Sequence, residues 1–153
     1  MQQITKEFFF CVDVANMKEI KNNETEGSKM YGNTAHNIYA QNDIGIESPA
    51  KLVEMLYEGI LRFNAQAKKA IKDGDIEKRV YWMNRSVAII TELIATLDME
   101  QEGTISQYLE GLYNYQIQLI TDAGFENSTE KLDECSNVFK VLLEAWREST
   151  DVA

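Results

Sequence analysis

The 153-residue chain holds one proline, Pro49, and beyond it apolar residues recur in steps of three and four almost to the C-terminus. Interior proline breaks a helix by removing a backbone donor and by steric clash, so a chain whose only proline stands at a helix start can carry long uninterrupted helices. Ser48 and Pro49 have the order of an N-cap and a first-turn proline. Leu52, Leu56, Ile60, Phe63, Ala67 and Ala70 follow at helical spacing and predict a helix from Pro49 to about Lys72. Asp73-Gly74-Asp75 supplies a glycine stop and a new N-cap, and Ile76, Val80, Met83, Val87, Ile90, Ile94 and Leu97 predict a second helix ending near Gln101. Thr104 and Gln107 have capping-box spacing at the start of a third helix, which should run to Ala123 with Gly124 as its stop. Asn127 and Glu130 resemble a weaker cap, and Leu132, Cys135, Phe139, Leu142 and Trp146 form the stripe of a fourth helix ending near Glu148. Four long helices with short connections predict an all-α, antiparallel up-and-down four-helix bundle.

The residues ahead of Pro49 divide in two. Residues 1–29 show no sustained period, and Asn22 to Ser28 (NNETEGS) is polar and turn-rich, which reads as a flexible N-terminal extension. Within it Phe8-Phe9-Phe10-Cys11-Val12 is an uncharged run of high β-propensity that fits a stray strand, a docking peptide or an aggregation-prone segment. Residues 30–149 form the expected domain, and 150–153 a C-terminal tail. The domain opens on a short helical segment, Asn33 to Ile46, whose Ala35, Ile38 and Tyr39 are too few to hold a helix without docking.

Composition excludes several partners. At 44% hydrophobic and 26% charged residues the chain is globular in character. A net charge of -10 repels nucleic acid and anionic membrane surfaces. No apolar run approaches the roughly 20 residues of a membrane span, so membrane insertion is not expected. The N-terminus lacks the basic start and apolar core of a signal peptide, which makes the cytoplasm the expected compartment. Cys11 and Cys135 are too few for a disulfide framework and read as free thiols, Cys135 in the core.

A carboxylate-rich bundle invites comparison with di-iron proteins, which need two Glu-x-x-His motifs and two further glutamates. The single histidine, His36, lies ahead of the first bundle helix, so Glu54, Glu58, Glu92 and Glu110 read as solvated faces. No histidine base stands at a recognisable spacing from a nucleophile, and the eight glycines form no phosphate-cradling loop. No catalytic residue, metal or cofactor is expected.

What remains unusual is apolar surplus off the main stripes: Val53, Met55, Tyr57 and Leu61, then Trp82, Ile89 and Leu93, then Tyr108, Tyr113, Tyr115 and Ile117. A wide core stripe accounts for such residues. So does a groove on the outside of the bundle that receives a partner's amphipathic helix, or a face that homodimerises. On the groove reading Leu56 faces inward while Met55 and Tyr57 reach the groove.

The run from Ser48 to Phe63, SPAKLVEMLYEGILRF, resembles the signature of the flagellar export chaperone family FliS, typically SPxxLxxMLYxGxLxF. Gly111-Leu112-Tyr113-Asn114-Tyr115 is similar to the family's LYxY element and Glu144-Ala145-Trp146-Arg147 to its EAW(K/R), so the resemblance extends from Met30 to about Glu148. It implies a helical bundle, not an enzyme, that binds the disordered C-terminal segment of flagellin one-to-one, keeps it from polymerising in the cytosol and helps deliver it to the export gate. Other flagellar proteins are further partners on this pattern. The family begins a short way before its version of Tyr39-x-x-Asn42, which leaves residues 1–29 as an extension. It commonly has an aromatic or aliphatic residue three before the tyrosine, where this chain has His36. The flagellin-contacting residues expected from this likeness and from the surplus are His36, Tyr39, Leu52, Met55, Tyr57 and Tyr113.

Overall fold

The computed structural model describes residues 49–100 and 104–151. Their regular elements are four helices: α1 (Pro49–Asp73), α2 (Ile76–Ala95), α3 (Thr104–Glu126) and α4 (Thr129–Asp151). In space α1 neighbours α2 and α4, and α3 neighbours α2 and α4, which closes a four-helix ring. Contacts run in opposite senses along every neighbouring pair. Trp146 near the end of α4 donates its indole N–H to the Ala50 carbonyl at the start of α1 (2.7 Å), while Lys68 late in α1 meets Asp133 early in α4 (2.7 Å). The bundle is therefore up-and-down and antiparallel, as the short connections predict.

The ends of the helices follow local chemistry, and here four boundaries differ from those read in the sequence. Gly74 closes α1 in the left-handed region (φ +69°), its N–H bonds the Ile71 carbonyl and the Asp75 N–H bonds that of Ala70 (2.9 Å), a complete Schellman stop. Asp75 then caps α2 through the Lys78 N–H (3.0 Å). α2 ends at Ala95, six residues short of Gln101. The Thr96 hydroxyl takes the Leu93 carbonyl (2.7 Å) and the Asp98 carboxylate takes the Glu100 N–H (3.1 Å), an Asx turn that leads the chain away.

Gly124 does not stop α3. It lies within the helix, where an added Cβ would stand 3.2 Å from the Met83 sulfur, so glycine here serves the close approach of α2. The stop is Asn127, in the left-handed region at φ 53°, with the Ser128 N–H on the Ala123 carbonyl (3.0 Å). Asn127 is thus no N-cap. Ser128 caps α4 by accepting the Lys131 N–H (3.3 Å), one residue later than the sequence spacing suggests. α4 continues past Glu148 to Asp151, with the Ser149 and Thr150 hydroxyls returned to the Trp146 carbonyl.

The core is a wide stripe from each helix, including Leu56, Ile60 and Phe63 of α1, Ile90 and Leu93 of α2, Ile120 of α3 and Phe139 and Trp146 of α4. One polar knot interrupts it. Asn64 is 1% exposed; its amide oxygen accepts from the Ser86 hydroxyl (2.7 Å), and its nitrogen faces Cys135 Sγ and Ser136 Oγ (3.4 Å each). Three helices are registered through one side chain. Asn64→Ala leaves the Ser86 hydroxyl buried without that acceptor and is expected to lower unfolding free energy by about 1–3 kcal/mol in a denaturant titration; a change under about 0.5 kcal/mol would show the knot to be energetically silent.

Outside, Arg147 fastens α4 to α1 through Glu54 (2.9 Å) and Glu58 (2.6 Å). Burial works to raise the Glu54 carboxyl, but hydrogen bonds and charge from Arg147 and Lys51 outweigh it and hold that group below its ordinary value. A depressed carboxyl contributes stability that is present above the ordinary carboxylate range and is lost as the pH falls through the lowered value. Arg147→Gln is accordingly expected to flatten the acid limb of a stability–pH curve while lowering the plateau near neutrality; an unchanged acid limb would remove this clamp from the pH response.

Candidate functional site

The sequence-derived contact residues that the structure describes do not form one exposed surface. His36 and Tyr39 lie outside the described residues. Leu52, Tyr57 and Tyr113 are core, at 7%, 0% and 1% exposure, and Met55 is half-buried against that core. Tyr57 and Tyr113 meet across the diagonal of the bundle, hydroxyl to hydroxyl at 2.6 Å, with Phe139 packed on both rings. This corrects the groove placement of Tyr57. Each hydroxyl satisfies the other, so the polar tips enter the interior without the penalty of an unpaired group. Burial, reinforced by the neighbouring Tyr113, keeps the Tyr57 phenol protonated far above its ordinary range. The wide-stripe explanation also covers Val53, Ile89 and Leu93, all buried.

The surplus that does reach solvent sits elsewhere, on both flanks of α3. On the α2 side, Val80, Met83 and Val87 recur at i, i+3 and i+7 opposite Ile120, Thr121, Gly124 and Phe125, and enclose a groove of about 260 Å³. Phe125 is 84% exposed and Val80 46%. The missing side chain at Gly124 opens the groove down to the Met83 sulfur. Arg79 and Asn84 stand at the groove's polar edge. The Arg79 side chain reaches Asn127 through one terminal nitrogen, while its buried Nε has no hydrogen-bond partner among the described residues.

On the α4 side of α3, Tyr108, Leu112 and Tyr115 line up at i, i+4 and i+7, with the two tyrosines 69% and 49% exposed. Tyr115 leans toward α4, its hydroxyl 3.4 Å from Glu134. Tyr108 and Tyr115 belong to the apolar surplus visible in the sequence; Val80 reads there as part of the main stripe of the second helix, which its 46% exposure corrects, and Phe125 does not stand out. Phe125 was masked by the expectation that α3 ends at Ala123, which would have put it in a loop.

Glu54 and Glu58 hold Arg147. The Cys135 thiol, wholly buried, is pushed up to about 12 by that burial, which the Asn64 amide only partly offsets, so it stays protonated and unreactive at neutral pH. No group of three or more His, Cys, Asp or Glu side chains among the described residues is placed to hold a metal ion. No described helix is long and apolar enough to cross a membrane. What the geometry offers is apolar surface at helix-groove spacing, suited to binding an amphipathic segment.

Comparison with known proteins agrees with that character. The model of the family described as flagellar protein FliS matches residues 31–153. A flagellar secretion chaperone FliS of Campylobacter jejuni is 57% identical over 119 residues, which is 78% of this chain and 93% of that relative. The proteins of the same name from Bacillus subtilis (30% identical, 72% of this chain and 82% of the relative) and Salmonella typhimurium (29%, 75% and 90%) are more distant. Matched by the family model from residue 31 to its end, and by these relatives over most of their lengths, the chain belongs to the FliS family of flagellar secretion chaperones.

Proposed function

We propose that this chain is a cytoplasmic export chaperone that binds the disordered C-terminal segment of flagellin, prevents its premature polymerisation and assists its delivery to the flagellar export gate. The exposed apolar flanks of α3 carry the reading: Phe125 on one flank, at 84% exposure, and Tyr108 on the other, at 69%, are surface that a partner segment would cover. A flagellin terminal segment has the complementary need, because its apolar faces are buried only in the filament. Folding such a segment onto a groove buries about 1,000–3,000 Å² and consumes on the order of 2–5 kcal/mol in ordering, which leaves an affinity compatible with release at the gate.

The test is sizing of the purified chain with intact flagellin, with flagellin lacking its C-terminal segment, and with that segment alone. A one-to-one shift that requires the segment supports the reading. A large species formed by the chain alone and indifferent to flagellin would favour a homodimeric helical protein instead. His36 and Tyr39 keep a proposed part in the contact, on the strength of the family likeness. Tyr39→Ala is expected to weaken flagellin binding about tenfold, roughly 1.4 kcal/mol, with the melting temperature unmoved; equal affinity would take the segment out of the site.

A further inference from the structure

Charge is unevenly placed along this chain. Residues 62–85, the second half of α1 and the first half of α2, hold 7 of the 15 lysines and arginines and only 3 of the 25 acidic residues, so they are net positive in a chain of net charge -10. Some of these cations serve the fold: Lys68 pairs with Asp133 of α4 and Lys78 with Asp75. Arg62, Lys69, Lys72 and Arg85 make no ion pair among the described residues. In a protein so rich in carboxylates, cations left without one are a surface open to an anion from outside.

Two of them converge on one ring. The guanidinium carbon of Arg62 lies 5.4 Å and that of Arg85 5.0 Å from the centroid of Phe63, a buried ring of α1. Trp82 packs on the same ring at 5.5 Å, and Tyr81 stands edge-on to Trp82 at 4.9 Å. Arg85 also lies over the Tyr81 and Trp82 rings, at 5.1 and 5.7 Å, and donates one terminal N–H to the Tyr81 hydroxyl. Attraction to the ring faces opposes the repulsion between the two guanidinium groups and fixes where they stand. Little side-chain freedom is then left for a ligand to remove. The second terminal nitrogen of Arg85 and the exposed head of Arg62 have no acceptor among the described residues.

The spacing of the cations selects the kind of anion. Lys69 continues the Arg62 row at i+7, about 10 Å further along α1, and is exposed. One inorganic ion is too small to meet Arg62, Lys69 and Arg85 together. An extended chain, at about 3.3 Å per residue, crosses from Lys69 to Arg62 in about three or four residues and presents a carboxylate to each cation in charge-assisted bonds. Tyr81, 50% exposed, adds a ring and a hydroxyl at the edge. The excess negative charge of the chain repels such a segment from the rest of the surface, so one positive face both attracts and orients it. Tyr81, Trp82 and Arg85 stand on the α1 side of α2, whereas Val80, Met83 and Val87 line the groove with α3.

We infer that Arg62, Lys69 and Arg85, with Tyr81 beside them, form a second docking face, which takes an extended acidic segment of a partner protein. The face is separate from the flanks of α3 and does not rest on the flagellin reading, so both surfaces can be occupied at once.

The test titrates a fluorescein-labelled hexaglutamate peptide, and a hexaglutamine peptide as its uncharged counterpart, into the full chain. Binding of hexaglutamate alone is expected, weakened about tenfold or more between low salt and about 0.5 M, where screening is complete within a few ångströms. Arg62→Gln with Arg85→Gln should weaken it about tenfold. Arg62→Gln with Lys69→Gln should do the same while leaving the Arg85 stack in place, and melting curves verify that each variant is folded. Lys72→Gln with Lys78→Gln removes as much charge from the tip of the α1–α2 hairpin and should change the affinity by no more than about twofold. An equal loss in that pair would show a diffuse field rather than a site and overturns the proposal. So does equal binding of hexaglutamine, or binding that survives both arginine variants. Self-association of the chain that salt and these variants abolish would make a second copy the occupant, and binding to phosphatidylglycerol vesicles without binding of the peptide would make it a lipid surface; either result overturns the assignment to a partner protein. Flagellin binding should be unchanged in the arginine variants, and its loss there would merge this face with the flagellin contact and overturn the separation. If the parent chain takes hexaglutamate but no flagellin, the functional reading fails and the acidic-segment face stands.

Discussion

Tyr57→Ala is expected to lower the unfolding free energy by about 3–5 kcal/mol, the range for deleting a large buried aromatic side chain. The side chain is fully buried, touches Phe139 and shares a hydroxyl bond with Tyr113 on the opposite helix. Its removal opens a cavity on the bundle axis, where four rigid helices cannot all close in. Against a typical domain stability of about 5–15 kcal/mol, such a loss brings the bundle near collapse. Tyr57→Phe separates ring from hydroxyl: keeping the ring fills the space, and the buried Tyr113 hydroxyl loses this partner, for about 1–3 kcal/mol. Denaturant titration followed by the fluorescence of Trp82 and Trp146 gives both numbers. A Tyr57→Ala protein of nearly parental stability, yet weak in flagellin binding, would return this tyrosine to the contact surface.

Phe125→Asp is expected to do the opposite, weakening flagellin binding by about 30-fold or more, the ~2 kcal/mol of an aromatic hot spot, while melting stays at the parental temperature. Phe125 has almost no packing to lose, and a carboxylate in its place cannot be covered by an apolar helix without desolvation. The measurement is a titration of flagellin into the purified variant and parent chains. Unchanged affinity there would move the contact to the other flank of α3, where Tyr115→Asp is the matching variant. The pair of predictions separates a buried aromatic residue from an exposed one. Tyr57 is structural because a partner tyrosine satisfies its hydroxyl, and Phe125 stands 84% exposed at the α2–α3 groove with little packing of its own.

Much of this molecule follows from sequence order, and the reason is locality. An α-helix is built from bonds four residues apart and an apolar stripe repeating every three or four. Pro49, the Gly74-Asp75 break and the long stripes therefore place α1 and the start of α2 with little ambiguity, and short connections impose antiparallel neighbours. The signature SPAKLVEMLYEGILRF identifies the family on the same footing, as a pattern of near neighbours. Ends were less legible wherever two residues could do the same task. Asn127 is as good an N-cap as Ser128, and Gly124 as good a stop as Asn127, until the packing of Met83 assigns the glycine to the interior of α3.

The side that each tyrosine faces was decided only in three dimensions. Tyr57 and Tyr113 are 56 residues apart, and nothing in either neighbourhood announces that their hydroxyls lie 2.6 Å from one another. The same holds for Asn64, which is tolerable inside because Ser86, Cys135 and Ser136 reach it from two other helices. A tyrosine on a helix is amphipathic, with an apolar ring and a polar tip, so its own sequence position permits either burial or exposure. What selects between them is whether another helix brings a partner for the tip. The sequence by itself settled that there would be four amphipathic helices and more apolar surface than one narrow core seam requires; the tertiary structure decided that the excess on α1 closes the core, while that on α3 divides, Tyr113 turning inward and Tyr108 and Tyr115 outward.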